Sequence, residues 1–590
     1  MRRTIVLITS AAAVSLLCIT AAVFVFVSNK SQATEGPVIK TNVASVSPSS
    51  KTTDTSLDLA TTVSPEILDG AFKAKLDWGV QTGTRVLLVP HHLVAARQIA
   101  SLLVATKKPS TVYLVTPDHL GHCKQAYCSD QETYKNELAV LALVPFLQRA
   151  WGNDIKIVPT IVRPDASAQQ TTQLISDLTS NLKKDKKALL VFSIDASHYL
   201  LAEVADFHDI LTQDVISSLA DMEVKRAEID APAVLRVGLK TARDLGLGQV
   251  TIHAHTNSLR ILQAKYTFES TSHFLASFAP GNISPQQNVS LLFLGDMNFD
   301  RNVATRSKSD KSYPFLKIAG TENRFFSGQD LIVANLEGPV TTKRAAPDKG
   351  NVDFMFDPKI LDVLKKYNIS AVSQANNHTY DQGGTAAQAS RDAIKRAGLA
   401  VFGDQVKDDE AHALTIVESR ARKIALLGFN ITDNALDKKE AAQDIASAKM
   451  QADYTVVFMH WGAEYQAKPN KTQTDLAHWF IDQGVDAIIG SHPHWMESVE
   501  VYRNRPIAYS LGNFIFDQDW SAETNLGLAA GLVLNEQGSE LHLFPIQITK
   551  SQPRLLTGTD RQTRLDYLAS ISDPSLSSQI KQGVIRLINK

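Results

Sequence analysis

Two sets of polar residues in this chain have the types and spacing to do chemistry. The denser set lies between residues 290 and 517. There Gly295-Asp296, Asn335-Leu336-Glu337, Asn376-Asn377-His378, His460-Trp461-Gly462 and His492-Pro493-His494 each follow a short apolar run. Asp, Glu, Asn and His are the donors that a hard or borderline dication prefers. Two such ions can activate water and neutralise a phosphoester. Each cluster alone has a plainer role: Asp296 as a helix cap, Asn376-Asn377 as a turn, His460 as a core histidine. Five together at strand ends point to a site assembled by a folded sheet. The second set is sparser and comprises His91, His92, His119, His198, His253 and His255. Three or four imidazoles on neighbouring strand ends could hold iron, copper or zinc. The competing reading makes TPDH (116–119) and DASH (195–198) loop and cap segments.

Strands must position both sets. Residues 85–90, 112–117 and 188–193 read as buried strands ending in polar loops. A second series follows the turn-rich segment PGNISP (280–285), with strands at 290–296, 330–335, 423–429, 454–460 and 487–492. Ligands of open α/β sheets gather beyond the carboxyl ends of the strands, where both sets fall. The expected division is therefore an α/β domain over 66–280, a second over 288–555, and a peripheral helical tail over 556–590.

The chain has 590 residues, too many for one core. Lys plus Arg number 60 against 61 for Asp plus Glu, a net charge of -1, so there is no basic footprint for nucleic acid. Three cysteines exclude a disulfide-dense scaffold and a four-thiolate zinc module. Met1-Arg2-Arg3 precedes an uncharged stretch over 4–27, which as a helix would span roughly 36 Å, enough to cross a bilayer. The arginines keep residues 1–3 cytoplasmic, so the expectation is a single-pass membrane protein with its domains outside. A cleaved signal peptide ending at Ser31-Gln32-Ala33 is the alternative, but its apolar region would be unusually long. Cys18 lies inside the span as membrane filler. Residues 28–65 read as a Ser/Thr-rich flexible linker. Outside the cytoplasm, Cys123 and Cys128 could close a small loop disulfide, the alternative being two unpaired thiols.

The order GDMNFDR (295–301), ANLEGPV (334–340), ANNHTYDQGG (375–384), HWGAEY (460–465), GSHPHWME (490–497) and YSLGNFIFD (509–517) closely resembles the CapA/PgsA family. These are bacterial capsule and poly-γ-glutamate synthesis proteins of the calcineurin-like metallophosphatase superfamily. The resemblance covers about 290–550 and implies a metallophosphatase-type α/β sandwich. It implies metal positions at Asp296, Glu337, Asn377, His460, His492 and His494, and an acid at His378. The metal would be manganese, iron or zinc, and the partner a cell-envelope polymer or its synthesis complex. Two positions depart from the superfamily's pattern. Asn298 stands where its first motif has His, and Glu337 where the bridging Asp usually sits. That departure favours the alternative of a non-catalytic scaffold subunit.

VPHH (89–92), TPDH (116–119) and SIDASHY (193–199) resemble the MEMO family, also called AmmeMemoRadiSam system protein B, over about 70–278. This resemblance implies an α/β fold related to non-haem iron dioxygenases, with His91, His119 and His198 in one pocket. His253 would replace the family's cysteine. It adds redox metal chemistry in the first domain as a further alternative.

Overall fold

In a computed structural model of the chain, the described residues are 63–588, apart from 265–268, 320, 346–352, 404–412, 421 and 434. The expected anchor (4–27) and nearly all of the linker (28–65) lie outside them. Among the described residues no helix is long and apolar enough to cross a membrane. The chain divides into two units. The first comprises residues up to 202, 215–225 and 229–285, and the second 203–214, 226–228 and 286–590.

The apolar runs of the first unit build one mixed sheet. Lys156–Val162, Thr111–Pro117, Leu189–Ser193 and Val86–Val89 lie side by side and parallel. Ser270–Ala279 then pairs antiparallel with Val86–Val89, and Ala196–Leu200 and Gln249–Asn257 pair with Ser270–Ala279. Leu189–Ser193 is buried throughout, as expected of a parallel strand covered on both faces. Leu87, Val89, Val112 and Leu114 share a core with Ile99, Leu102 and Leu103 of the helix Ala96–Ala105 and Leu143, Phe146 and Leu147 of the helix Leu138–Trp151.

The second unit is two sheets packed face to face. In the nine-stranded sheet Ala400–Phe402, Ala371–Ser373, Leu331–Leu336 and Val289–Met297 run parallel, and Leu526–Asn535 and Gly538–Thr549 continue antiparallel. In the six-stranded sheet Arg422–Asn430, Tyr454–His460, Ala487–Ser491 and Arg505–Ala508 run parallel. Strand alternation divides the burial. Ile424, Leu426, Val456 and Phe458 face the inter-sheet core with Leu291 and Phe293. Ala425, Leu427, Val457 and Met459 pack instead with Ile445 and Phe480 of the helices Lys438–Gln451 and Lys471–Asp482.

Two boundaries need correction. The tail over 556–590 is not peripheral. Val584–Ile588 pairs with Gly538–Thr549, and Leu565, Leu568, Ile580 and Ile585 join the inter-sheet core, because these apolar side chains cover strands otherwise open to water. Residues 203–214 and 226–228, expected within 66–280, group with the second unit, where buried Phe207 packs its ring 5.8 Å from that of Phe544.

Candidate metal centre

The parallel strands of both sheets in the second unit end at one place. Val289–Met297 carries Asp296, Leu331–Leu336 leads into Glu337, and Ala371–Ser373 leads into Asn376, Asn377 and His378. From the other sheet, Tyr454–His460 ends in His460, and Ala487–Ser491 leads into His492 and His494. Glycine brings the backbones close enough. A Cβ on Gly295 would lie 2.0 Å from the Gly512 carbonyl oxygen, and one on Gly490 would lie 1.8 Å from that of Tyr509.

Asp296, Glu337 and His494, all buried, have donor atoms within 4.8 Å of one another. His494 Nδ1 lies 3.4 Å from Asp296 Oδ2, and its Nε2 lies 3.8 Å from Glu337 Oε1. His460 Nε2 is 2.8 Å from Asn377 Oδ1, and its ring centroid is 4.8 Å from that of His492. The His492 backbone N–H donates to Asp296 Oδ2 at 3.3 Å. His492 and His494 both hold left-handed backbones (φ 94° and 56°), strain of the kind that clusters at functional sites. His378 stands at the edge. Its Nδ1 is 2.8 Å from Asp381 Oδ2, and its Nε2 is 4.0 Å from Glu337 Oε1.

The electrostatics are those of carboxylates and imidazoles crowded together in a buried pocket. Burial, reinforced by the Asp296 charge, drives the Glu337 carboxyl well above the usual carboxylate range. Burial pulls His494 down, but Glu337 and Asp296 outweigh it and raise the imidazole to about 9. Burial lowers His492 to about 4 and His460 well below the ordinary histidine range, with neighbouring histidines adding to both. Glu337 Oε1 and His492 Nδ1 are buried without a hydrogen-bond partner. Orphaned oxygen and nitrogen donors beside two buried carboxylates fit a dication, which would favour the charged carboxylates and neutral imidazoles. Asn298 is also buried. Its Oδ1 accepts from the Asp300 backbone N–H at 2.8 Å, and its Nδ2 has no partner.

Sequence reasoning passed over the amides that hold this group. Asn335 Nδ2 donates to Asp296 Oδ1 at 2.8 Å, Asn376 Nδ2 donates to Asn335 Oδ1 at 3.1 Å, and Asn513 Oδ1 lies 3.0 Å from His494 Nδ1. Asn335 and Asn376 stood inside the strand-end clusters, and Asn513 inside YSLGNFIFD, so position was a signal for each. Asp381, the partner of His378, likewise stood inside the motif ANNHTYDQGG.

In the first unit, His91, His119 and Asp230 have donor atoms within 4.8 Å of one another. His91 Nε2 is 3.3 Å from both Asp230 Oδ2 and Asp195 Oδ2, and His119 Nε2 is 3.6 Å from Asp230 Oδ2. Glu137 Oε1 lies 2.6 Å from His119 Nδ1, and His198 Nε2 lies 3.9 Å from Asp195 Oδ2. Burial raises Asp195 and Asp230 to about 6. Burial lowers His119, but hydrogen bonds to Asp230 and Glu137 prevail and raise it to about 10. The structure does not bring His253 into this group. A bulge between Ile252 and Ala254 sets it against Ser277 Oγ at 2.8 Å, with its ring 5.5 Å from that of Trp78. Asp230 and Glu137, which do join, lie in segments the histidine pattern did not mark. Cys123 and Cys128 are joined by a disulfide.

Residues 290–518 match the family model of the bacterial capsule synthesis protein PGA_cap. The second unit is similar to that family over those residues. The PGA biosynthesis protein CapA of Bacillus subtilis (strain 168) is 28% identical over 284 residues, covering 45% of this chain and 73% of the relative. A MEMO1 family protein of Methanosarcina acetivorans is 28% identical over 153 residues, covering 25% of this chain and 52% of the relative. The chain therefore joins a MEMO1-like first part to a PGA_cap second part, and spans about half of that MEMO1 relative. A solved phosphatase from Mycoplasma pneumoniae aligns at a TM-score of 0.27 and 13% identity, covering 45% of this chain and 90% of that one, too loose an overlap to carry an argument.

Proposed function

We propose that the second unit is a dication-dependent, hydrolase-type centre of calcineurin-like metallophosphatase character, serving the synthesis of a capsule, poly-γ-glutamate or another envelope polymer. We further propose that residues 4–27 hold it at the outer face of the cell membrane as a single-pass anchor. The observation that carries the hydrolytic reading is the buried Asp296, Glu337 and His494 group, with Glu337 Oε1 and His492 Nδ1 left without a hydrogen-bond partner, inside the PGA_cap match. The Cys123–Cys128 disulfide supports an oxidising compartment.

Asp296, Glu337 and His494 would hold the ion, with Asn377, His460 and His492 beside them. A dication bound there supplies charge stabilisation to a phosphoryl oxygen and acidifies water. His378 has the geometry of an acid: the Asp381 carboxylate accepts the Nδ1 proton and steadies the imidazolium, leaving Nε2 to protonate a leaving group. The first-unit group of His91, His119 and Asp230 is read as a separate site for iron, copper or zinc. A second reading, a non-catalytic scaffold, is favoured by Asn298, whose Oδ1 is already engaged by the Asp300 backbone.

Elemental analysis of the full chain and of His494→Ala tests the proposal, alongside manganese-supported hydrolysis of phosphomonoester and phosphodiester probes. His494→Ala should weaken second-site metal binding by more than about 100-fold, beyond the effect typical of an outer-shell partner. Unchanged metal content in the variant would remove the site assignment. A fully loaded protein that hydrolyses neither probe would favour the scaffold.

A further inference from the structure

The helices Ala168–Lys184 and Pro232–Asp244 of the first unit border a cleft of about 1040 Å³, large enough for a sizeable ligand. One helix presents Thr172, Ser176, Thr179 and Lys183 to it, spaced three and four residues apart along one face. The other presents Arg236, Lys240 and Asp244, spaced by four. The charges are not balanced. Asp244 pairs with Lys240, and Asp221, the other acid of the cleft, pairs with Arg243 at 2.7 Å. Among the described residues no carboxylate lies within ion-pair distance of Lys183, Lys184 or Arg236.

Arg236 is the unusual member. It is only 4% exposed, and its guanidinium has one hydrogen bond, from Nη1 to the Ala166 carbonyl at 3.2 Å. A guanidinium carries five N–H donors and stays protonated at any physiological pH. Burying such a charge is expensive unless an anion is paired with it, and Arg236 shares its one nearby carboxylate, Asp221, with Arg243. A second group points the same way: Thr179 is 9% exposed, and its hydroxyl has no partner. Lysines in the last turn of a helix commonly complement its dipole, which accounts for Lys183 and Lys184 alone. It accounts for neither Arg236 nor Thr179.

We infer that this cleft is an oxyanion-binding site, taking the carboxylates or phosphates of an extended anionic ligand. Arg236 and Thr179 supply the buried contacts, and Lys183 and Lys184 the exposed ones. The site involves none of the residues of either metal-site group, so it stands or falls separately from the hydrolase reading.

Calorimetric titration of the full chain at low salt, with inorganic phosphate and with a short polyglutamate, tests it. The wild type should bind at least one probe, and binding should weaken as salt rises. Preference for polyglutamate would identify a polycarboxylate chain as the ligand, and equal occupancy by phosphate a site for a single oxyanion. Lys183→Ala/Lys184→Ala, on an exposed helix end, should fold normally and bind about 10-fold more weakly. Thr179→Val should weaken binding about 5-fold with an unchanged melting temperature. Arg236→Gln should abolish binding, the lysine variant serving as the control if Arg236→Gln does not fold. Failure of the wild type to bind either probe, or wild-type affinity in the double lysine variant, would overturn the inference.

Discussion

The two units place carboxylates and imidazoles at the ends of parallel strands in different ways. In the second unit two sheets contribute, and residues from five strand ends meet around Asp296 and Glu337. In the first unit one sheet contributes, and its edge is less regular. His91 and His119 follow parallel strands on either side of Leu189–Ser193, whereas His198 lies on an irregular edge strand and His253 on a bulged one. Asp230 and Glu137, drawn from a loop and from the start of the helix Leu138–Trp151, complete the group instead. Regular parallel strands carry motif residues to a common level, so sequence order predicts convergence. A single bulge turns a side chain to the other face and defeats that prediction.

Breaking the acid of the second unit should have the largest effect. His378→Ala removes a group beside the candidate metal cluster and not in it, so on the proposed function metal content should persist while turnover falls by roughly 100-fold to 10,000-fold. Loss of metal in this variant would make His378 a ligand and merge the two roles that distinguish it from His494.

A smaller effect sharpens the contrast within the second unit. Burial raises the Glu497 carboxyl to about 8, with only Gln473 Nε2, at 2.7 Å, opposing it. Its folded pKa lies above its unfolded value, so its stabilising contribution is complete below about pH 4.5 and is lost as pH rises through 8. Between pH 5 and 7.5 this amounts to about 3 kcal/mol. Chemical denaturation of Glu497→Gln across that range should show a correspondingly flatter pH dependence of second-unit stability. An unchanged profile would show that Glu497 ionises normally.

The smallest effect tests the bulge. His253→Ala loses the Ser277 hydrogen bond and the Trp78 stack, which should destabilise the protein by about 1 kcal/mol. Metal binding by the first unit, measured in parallel, should match the wild type. A fall in that binding would return His253 to the site and equalise the two units.

Much of the second centre was legible in the sequence because Asp296, Glu337, His460, His492 and His494 each follow a nearly continuous apolar run. Burial on both faces of a parallel strand requires such a run, and its end marks where polar side chains emerge. Three of those strands were also placed to within one residue at either end, and Tyr454–His460 was placed at its full length. The composition and net charge already argued against a nucleic-acid footprint, and the resemblance of six ordered motifs pointed to the family that residues 290–518 match. Only the tertiary structure decided the rest. It put Asp381 beside His378, sent Val584–Ile588 back into the central sheet, and exchanged His253 for Asp230 in the first group. Local patterning specifies which residues are buried and where strands end. Which distant segments fill the remaining volume, and where a bulge re-aims a side chain, depend on packing between elements far apart in the chain.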